Sequence, residues 1–185
     1  LMGYLSSKAI IQTSAGNEMS QCLSVAMGSI EMSLSNNRMV AETMARGVEA
    51  VQRQAVKGEQ TASDWDAAAY QEILTSFVGS NPETFGGGIW FEPYQYRPEQ
   101  RYFSPYCMRQ NGAVTYVDNY SLGEGVYYTD QDWYTNAANT TQKSVWSAPY
   151  YDEFAQISMV TSSAPIYDET GRFLGVATAD IDLTQ

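Results

Sequence analysis

ISMVTSSAPIYDETGRFLGVATADIDL, residues 157–183 of the 185-residue chain, reads as two long strands folded back on each other. Small and β-branched apolar residues fill Ile157–Tyr167 and Phe173–Leu183, and Asp168-Glu169-Thr170-Gly171 between them is a turn signal. One acid stands inside the second run. Asp180 lies in the apolar stretch Val176–Ile181, where an unpaired buried carboxylate is costly, so its presence there points to a role. Asp182 shares its face but stands near the strand end, where solvent exposure is the default.

Working upstream, Ser144–Ala148 predicts a further strand, and Asp130-Gln131-Asp132-Trp133-Tyr134 opens a short helix through Ala138. Arg101–Met108 and Ala113–Val117 predict a hairpin around Gln110-Asn111-Gly112. Gly86-Gly87-Gly88 leads into a strand at Ile89-Trp90-Phe91. Ser63-Asp64-Trp65-Asp66 marks a helix start, with Ser63 as cap; the helix runs through Tyr70, Ile73, Leu74 and Phe77 and stops at Gly79-Ser80-Asn81-Pro82. Residues 5–57 read as helix from apolar residues at three and four spacing, with a break at Ser35-Asn36-Asn37. On it, Met19, Met27, Met32, Met39 and Met44 read as packing residues, not metal ligands. The order of elements is α+β: a long N-terminal helix plus an antiparallel sheet flanked by helices. Residues 1–59 form the helical segment and 60–185 the sheet-bearing module. Residues 1–60 hold a single aromatic, Tyr4. A helix of that length cannot bury itself, so it dimerises, packs on the downstream module, or both.

Composition removes whole classes of function. A net charge of −11 argues against nucleic acid and against anionic lipid surfaces. The chain has no histidine, which removes the commonest general base and the commonest zinc ligand. Cys22 and Cys107 match no metal spacing; they pair in an oxidising compartment or remain two buried free thiols. No apolar run is long enough to span a bilayer and no signal peptide is visible, so a membrane enters only through spans outside these residues. No cofactor is implied. Gly86-Gly87-Gly88 lacks the Lys-Ser/Thr and the helix of a phosphate loop, and the oxygen-rich Asp118–Asp132 lacks the ligand order of a calcium loop.

The stretch Tyr128-Thr129-Asp130-Gln131-Asp132-Trp133-Tyr134 is followed by Trp146-Ser147-Ala148-Pro149-Tyr150-Tyr151-Asp152 and Ser162-Ser163-Ala164-Pro165-Ile166-Tyr167-Asp168. Gly171-Arg172-Phe173-Leu174-Gly175-Val176 and Asp180-Ile181-Asp182-Leu183 complete the series. In this order and spacing the chain resembles the Cache family, PAS-like sensor domains that stand outside the membrane in chemoreceptors, sensor histidine kinases and cyclic-dinucleotide enzymes. The resemblance implies a Cache fold and an extracytoplasmic ligand-sensing role in a transmembrane receptor that is a homodimer. It also implies the ligand-binding distal module alone, because a double-Cache ectodomain adds a membrane-proximal module after the Asp-Ile-Asp-Leu strand.

In amino-acid-binding members of that family, an Arg two residues before a Trp-Tyr pair holds the ligand carboxylate. A Tyr-x-Asp pair and the last-strand Asp hold the amine. Carried over by the resemblance, Trp133 and Tyr134 match the aromatic pair, Tyr150 and Asp152 the Tyr-x-Asp pair, and Asp180 the last acid. Gln131 stands where the Arg is expected, and a neutral amide cannot supply its charge. The amine half of the site is kept and the carboxylate half is lost. The implied ligand is a small amine or quaternary ammonium, with amino acids still open if Arg97, Arg101 or Arg109 replaces the missing cation. Tyr116, Asp118, Tyr127, Tyr128 and Trp146 complete the candidate walls. Each has a plainer reading: Trp133 as core, Tyr150 bonded to backbone, Asp152 as a turn cap. Two other functions compete, a dimerisation module that binds nothing and, more weakly, a hydrolase using Asp152 and Asp180 as paired carboxylates.

Overall fold

The computed structural model describes residues 2–57, 65–118, 120 and 127–184. Helix α1 (Met2–Lys57) is followed by α2 (Trp65–Ser80), strands β1 (Gly86–Phe91), β2 (Tyr106–Gln110) and β3 (Ala113–Val117), and a 3-10 turn (Tyr128–Asp130). Then come α3 (Asp132–Ala138), β4 (Val145–Trp146), β5 (Tyr150–Asp152), β6 (Ile157–Tyr167) and β7 (Phe173–Asp182). The strands form one antiparallel sheet in the order β3-β2-β1-β7-β6-β4, with β5 also pairing β6. This is the expected α+β architecture. The β2–β3 hairpin turns on Asn111 and Gly112, both at positive φ, as a two-residue turn between right-twisted strands requires.

The chain divides into two compact units, Leu1–Ser35 and Asn36–Gln185. In the first, Met19, Leu23, Met27, Ile30 and Met32 are each more than half exposed, and so is Met39 in the second; only Met44 of the five methionines is buried. Within the single chain, the packing expected of these methionines is met by Met44. Periodicity marks a helix face but does not say what covers it. The predicted break at Ser35-Asn36-Asn37 is also absent. Asn37 is fully buried, and its Oδ1 accepts a hydrogen bond from the Thr84 hydroxyl at 2.8 Å, so a residue type that often ends helices serves tertiary packing here. The Ser63 cap lies outside the described residues. Both cysteines are free thiols, but only Cys107 is buried; Cys22, expected buried as well, is exposed on α1.

In the second unit the alternation of strand residues separates two cores. One face of the sheet carries Ile89, Phe91, Cys107, Ala164, Ala177 and Ala179, packed against Val40, Ala41, Met44, Ala45 and Val48 of α1 and Tyr70, Leu74 and Val78 of α2. The other face carries Trp90, Tyr106, Met108 and Val176 beneath Tyr120, Tyr128, Trp133, Tyr134 and Ala137. Arg109 closes the C-terminus of α2, its guanidinium donating to the carbonyls of Val78, Asn81 and Thr84, where a cation complements the helix dipole. The strand predicted at Ser144–Ala148 is shorter than expected. Pro149, with no N–H for the ladder, separates β4 from β5, and each pairs with β6 on its own.

Candidate functional site

The aromatic face of the sheet begins with β1. Gly86, Gly88 and Trp90 alternate onto it, and the glycines are there for room. A Cβ on Gly88 would lie 2.6 Å from the Trp90 indole, and one on Gly86 would collide with the Tyr106 hydroxyl. With that space free, Trp90 Nε1 donates to the Thr178 hydroxyl oxygen at 2.8 Å, and Tyr106 reaches across β1 to Asp180 on β7, donating to Oδ2 at 2.8 Å. Gly88→Ala is expected to lower stability by about 1–3 kcal/mol through overpacking, measured by urea unfolding. An unchanged midpoint would mean that the indole has another place to go.

Asp180 is held from a second side by Thr161 of β6, its partner in the ladder, whose hydroxyl donates to Oδ1 at 2.8 Å. Tyr150 of β5 hydrogen-bonds the same Thr161 hydroxyl at 2.8 Å. The second acid, Asp152, ends β5. Its carboxylate accepts from the Tyr120 hydroxyl at 2.6 and 2.7 Å and from the Ala155 N–H at 2.7 Å. Asp152 and Asp180 line one cavity together with Trp90, Tyr106, Tyr120, Trp133, Tyr150, Met159, Thr161 and Thr178. Its volume is about 10 Å³, room for one water-sized group.

Electrostatics at this cavity are one-sided. Burial, with the neighbouring Asp152 charge adding to it, raises the Asp180 carboxyl from 3.8 to about 7, although the Thr161 and Tyr106 hydrogen bonds pull it down. Burial first, then the nearby carboxylates, push the Tyr106, Tyr120 and Tyr150 hydroxyls well above their usual range, so all three act as neutral donors. Among the described residues no Lys or Arg lines the cavity. The three arginines weighed as replacements for the missing one are engaged elsewhere: Arg109 at the end of α2, Arg97 over the Tyr96 ring and Arg101 over Tyr102. Two carboxylates and five rings, with no cation among the described residues of the lining, leave a place that favours a positive charge or a proton.

Of the residues singled out from sequence, Trp133, Tyr150, Asp152 and Asp180 meet at this cavity. The others do not line it. Tyr116 pairs with Cys107 across the β2–β3 ladder and packs with it on the helix-covered face, because one step along a strand reverses the side. Asp118 is exposed just beyond β3, and Gln131 is half-buried before α3. Tyr128 donates to the Phe91 carbonyl, and Tyr134 donates to Glu92 at 2.7 Å. Tyr127 stacks on Tyr102 at the surface, and Trp146 lines a separate groove. Asp182, expected in solvent, is half-buried and accepts from the Thr184 N–H. Trp90, Tyr106, Tyr120, Met159, Thr161 and Thr178 line the cavity without having been singled out. Only Thr178 carried a signal, lying two residues from Asp180 and so on its face.

A model of the family described as methyl-accepting chemotaxis protein-like, first PDC sensor domain, matches residues 70–185. Among solved structures, the extracellular domain of histidine kinase mmHK1S-Z3 superposes with a TM-score of 0.63 at 22% identity, over 84% of this chain and 54% of that one. The corresponding domain of soHK1S-Z6 gives 0.54 at 26% identity, over 85% and 63%. The ligand-binding domain of the Pseudomonas aeruginosa PAO1 amino acid chemoreceptor PctC, in complex with GABA, gives 0.54 at 17% identity, over 91% and 61%. At such identities the first and third speak for the fold alone. The chain spans between half and two thirds of the length of each. No curated protein sequence matches it.

Proposed function

Because the chain belongs to the family of methyl-accepting chemotaxis protein-like first PDC sensor domains, we propose that it is the extracytoplasmic ligand-sensing domain of a transmembrane signalling receptor. Its ligand is a small organic amine or quaternary ammonium whose nitrogen sits between Asp152 and Asp180. The observation that carries this reading is the pair of buried acids on one cavity with no Lys or Arg beside them. The PctC relative holds GABA, a molecule with both an amine and a carboxylate. Here the acids suited to the amine are present, and nothing at the cavity neutralises a carboxylate. An ammonium gains attraction to the carboxylates and to the faces of the surrounding rings, on the order of 0.5–2 kcal/mol per well-placed ring.

The cavity admits the –NH3+ head of a primary amine, and a quaternary ammonium enters only with the side-chain displacement that follows. A larger ligand body displaces Met159, the one unbranched apolar side chain in the lining and the readiest to change shape. Because the two acids stand on β5 and β7, a cation bridging them favours one spacing of those strands, and a receptor responds only to that difference in affinity between states. Among the described residues no helix is long and apolar enough to cross a membrane; in this reading the receptor's spans, and its dimer partner, are supplied elsewhere.

The test is a thermal-shift screen at pH 8 with primary amines, quaternary ammoniums, amino acids and neutral isosteres of each. An amine at a hundred times its Kd contributes about 2.7 kcal/mol, a rise of about 5–10 °C in Tm. Amines raising Tm while their neutral isosteres do not is the expected pattern. No shift with any amine would favour a module that binds nothing.

A further inference from the structure

Trp146 sits on β4, away from the ring-lined cavity, and its indole Nε1–H is buried with no acceptor among the described residues. Native structures seldom keep such a donor without a reason. The same side chain lines a groove of about 460 Å³ with Arg38, Glu42, Gln142, Lys143 and Ser144, a size typical of small-molecule sites. A neighbouring hollow of equal volume, reaching Arg46, shares Glu42, Gln142 and Lys143 with it.

The cations of this groove are unequally occupied. Arg46 is neutralised by Glu49 at 2.7 Å and also donates to the Pro165 carbonyl. Arg38 and Lys143 are exposed and have neither an ion pair nor a side-chain hydrogen bond among the described residues. Glu42, the acid in the same lining, accepts a hydrogen bond from the Ser144 hydroxyl at 2.6 Å. Two cations against one acid leave the groove lining net positive on a chain of net charge −11, where scattered acidity would otherwise repel an anion.

We propose that this groove is a second ligand site, independent of the carboxylate cavity, and that it takes a small molecule bearing an oxyanion, carboxylate or phosphate. The oxyanion receives charge-assisted hydrogen bonds from Arg38 and Lys143, with the Trp146 side chain in the wall of the groove beside it. Arg38 belongs to α1 and Lys143 to the loop before β4. A bound anion therefore ties the helix to the sheet edge, alongside the existing Glu42–Ser144 bond.

The chain's four tryptophans, Trp65, Trp90, Trp133 and Trp146, each give one indole N–H resonance in a proton–nitrogen correlation spectrum. The Trp146 signal is identified by its loss in Trp146→Phe. Titration with sodium phosphate and, separately, with sodium succinate, against chloride at matched ionic strength, is expected to move that signal saturably. Arg38→Gln and Lys143→Gln are each expected to weaken the effect by about tenfold without altering the response to amines. A shift with phosphate alone, or with succinate alone, identifies which oxyanion the site takes. A Trp146 signal that ignores both anions, or one that moves equally in the wild type and the two Gln variants, overturns the proposal.

Discussion

Asp180→Asn is expected to weaken amine binding by at least about thirtyfold at pH 8 while leaving the unliganded protein as stable as before, or more so. The first half follows from charge. Removing one member of a desolvated ion pair costs about 2–5 kcal/mol or more, and no other group at the cavity replaces an acid contributed by β7. The second half follows from burial. Asp180 is 3% exposed and shares its cavity with a second carboxylate, so its ionised form opposes folding at pH 8. Asparagine keeps the shape and one acceptor. It gives up one of the two hydrogen bonds from Tyr106 and Thr161, a loss of about 1 kcal/mol, and removes the buried charge. A substitution that abolishes binding but spares stability marks a residue retained for function. Calorimetric titration and urea unfolding of the same variant decide it, and loss of both properties together would make Asp180 a structural residue.

The second large effect is on pH. In the folded protein burial raises the Asp180 carboxyl from 3.8 to about 7, so between those values the folded state binds a proton that the unfolded state has released. Stability from this group is greatest below about pH 4, declines as pH rises, and levels off above about pH 7. The full decline is on the order of 4 kcal/mol for a shift from 3.8 to about 7. Asp168, lowered to about 2 by the Thr170 hydroxyl and the Arg172 backbone, titrates outside the window from pH 5 to 8. Amine affinity runs the other way. The proton and the ammonium compete for one carboxylate, so Kd is expected to fall about tenfold per unit from pH 5 to 7 and then to become constant. Asp180→Asn flattens both curves. A binding curve in the wild type that is flat from pH 5 to 8 would mean that Asp180 does not titrate with the ligand.

How much of this was legible in the sequence depended on range. Asp180 announced itself locally, as an acid in an apolar run, and β6 and β7 were readable because alternation and a turn signal are local features. Trp133, Tyr150 and Asp152 were reached only through family resemblance; nothing in their spacing places them beside Asp180. Tyr106, Thr161 and Trp90 could not be reached at all, because their position depends on which strands pair and in which register. Tyr116 shows the same limit from the other side. With β2 expected from Arg101 instead of Tyr106, the face of each hairpin residue was open, and one step of parity separates the cavity from the helical core. The purpose of the glycine triplet appears only once the Trp90 and Tyr106 side chains are seen filling the space above Gly88 and Gly86. Asn37 misled because a polar residue in mid-helix looks the same in sequence whether it ends the helix or bonds Thr84.

The most direct measurement is a crystal structure of the protein grown at pH 8 with the amine that most raises its Tm. The expected result is a ligand nitrogen within about 2.7–3.2 Å of a carboxylate oxygen on both Asp152 and Asp180 for an amine bearing N–H groups, or over the Trp and Tyr faces between the two acids for a quaternary ammonium. A ligand bound with its nitrogen elsewhere, or an anionic group facing Asp180, would contradict the account.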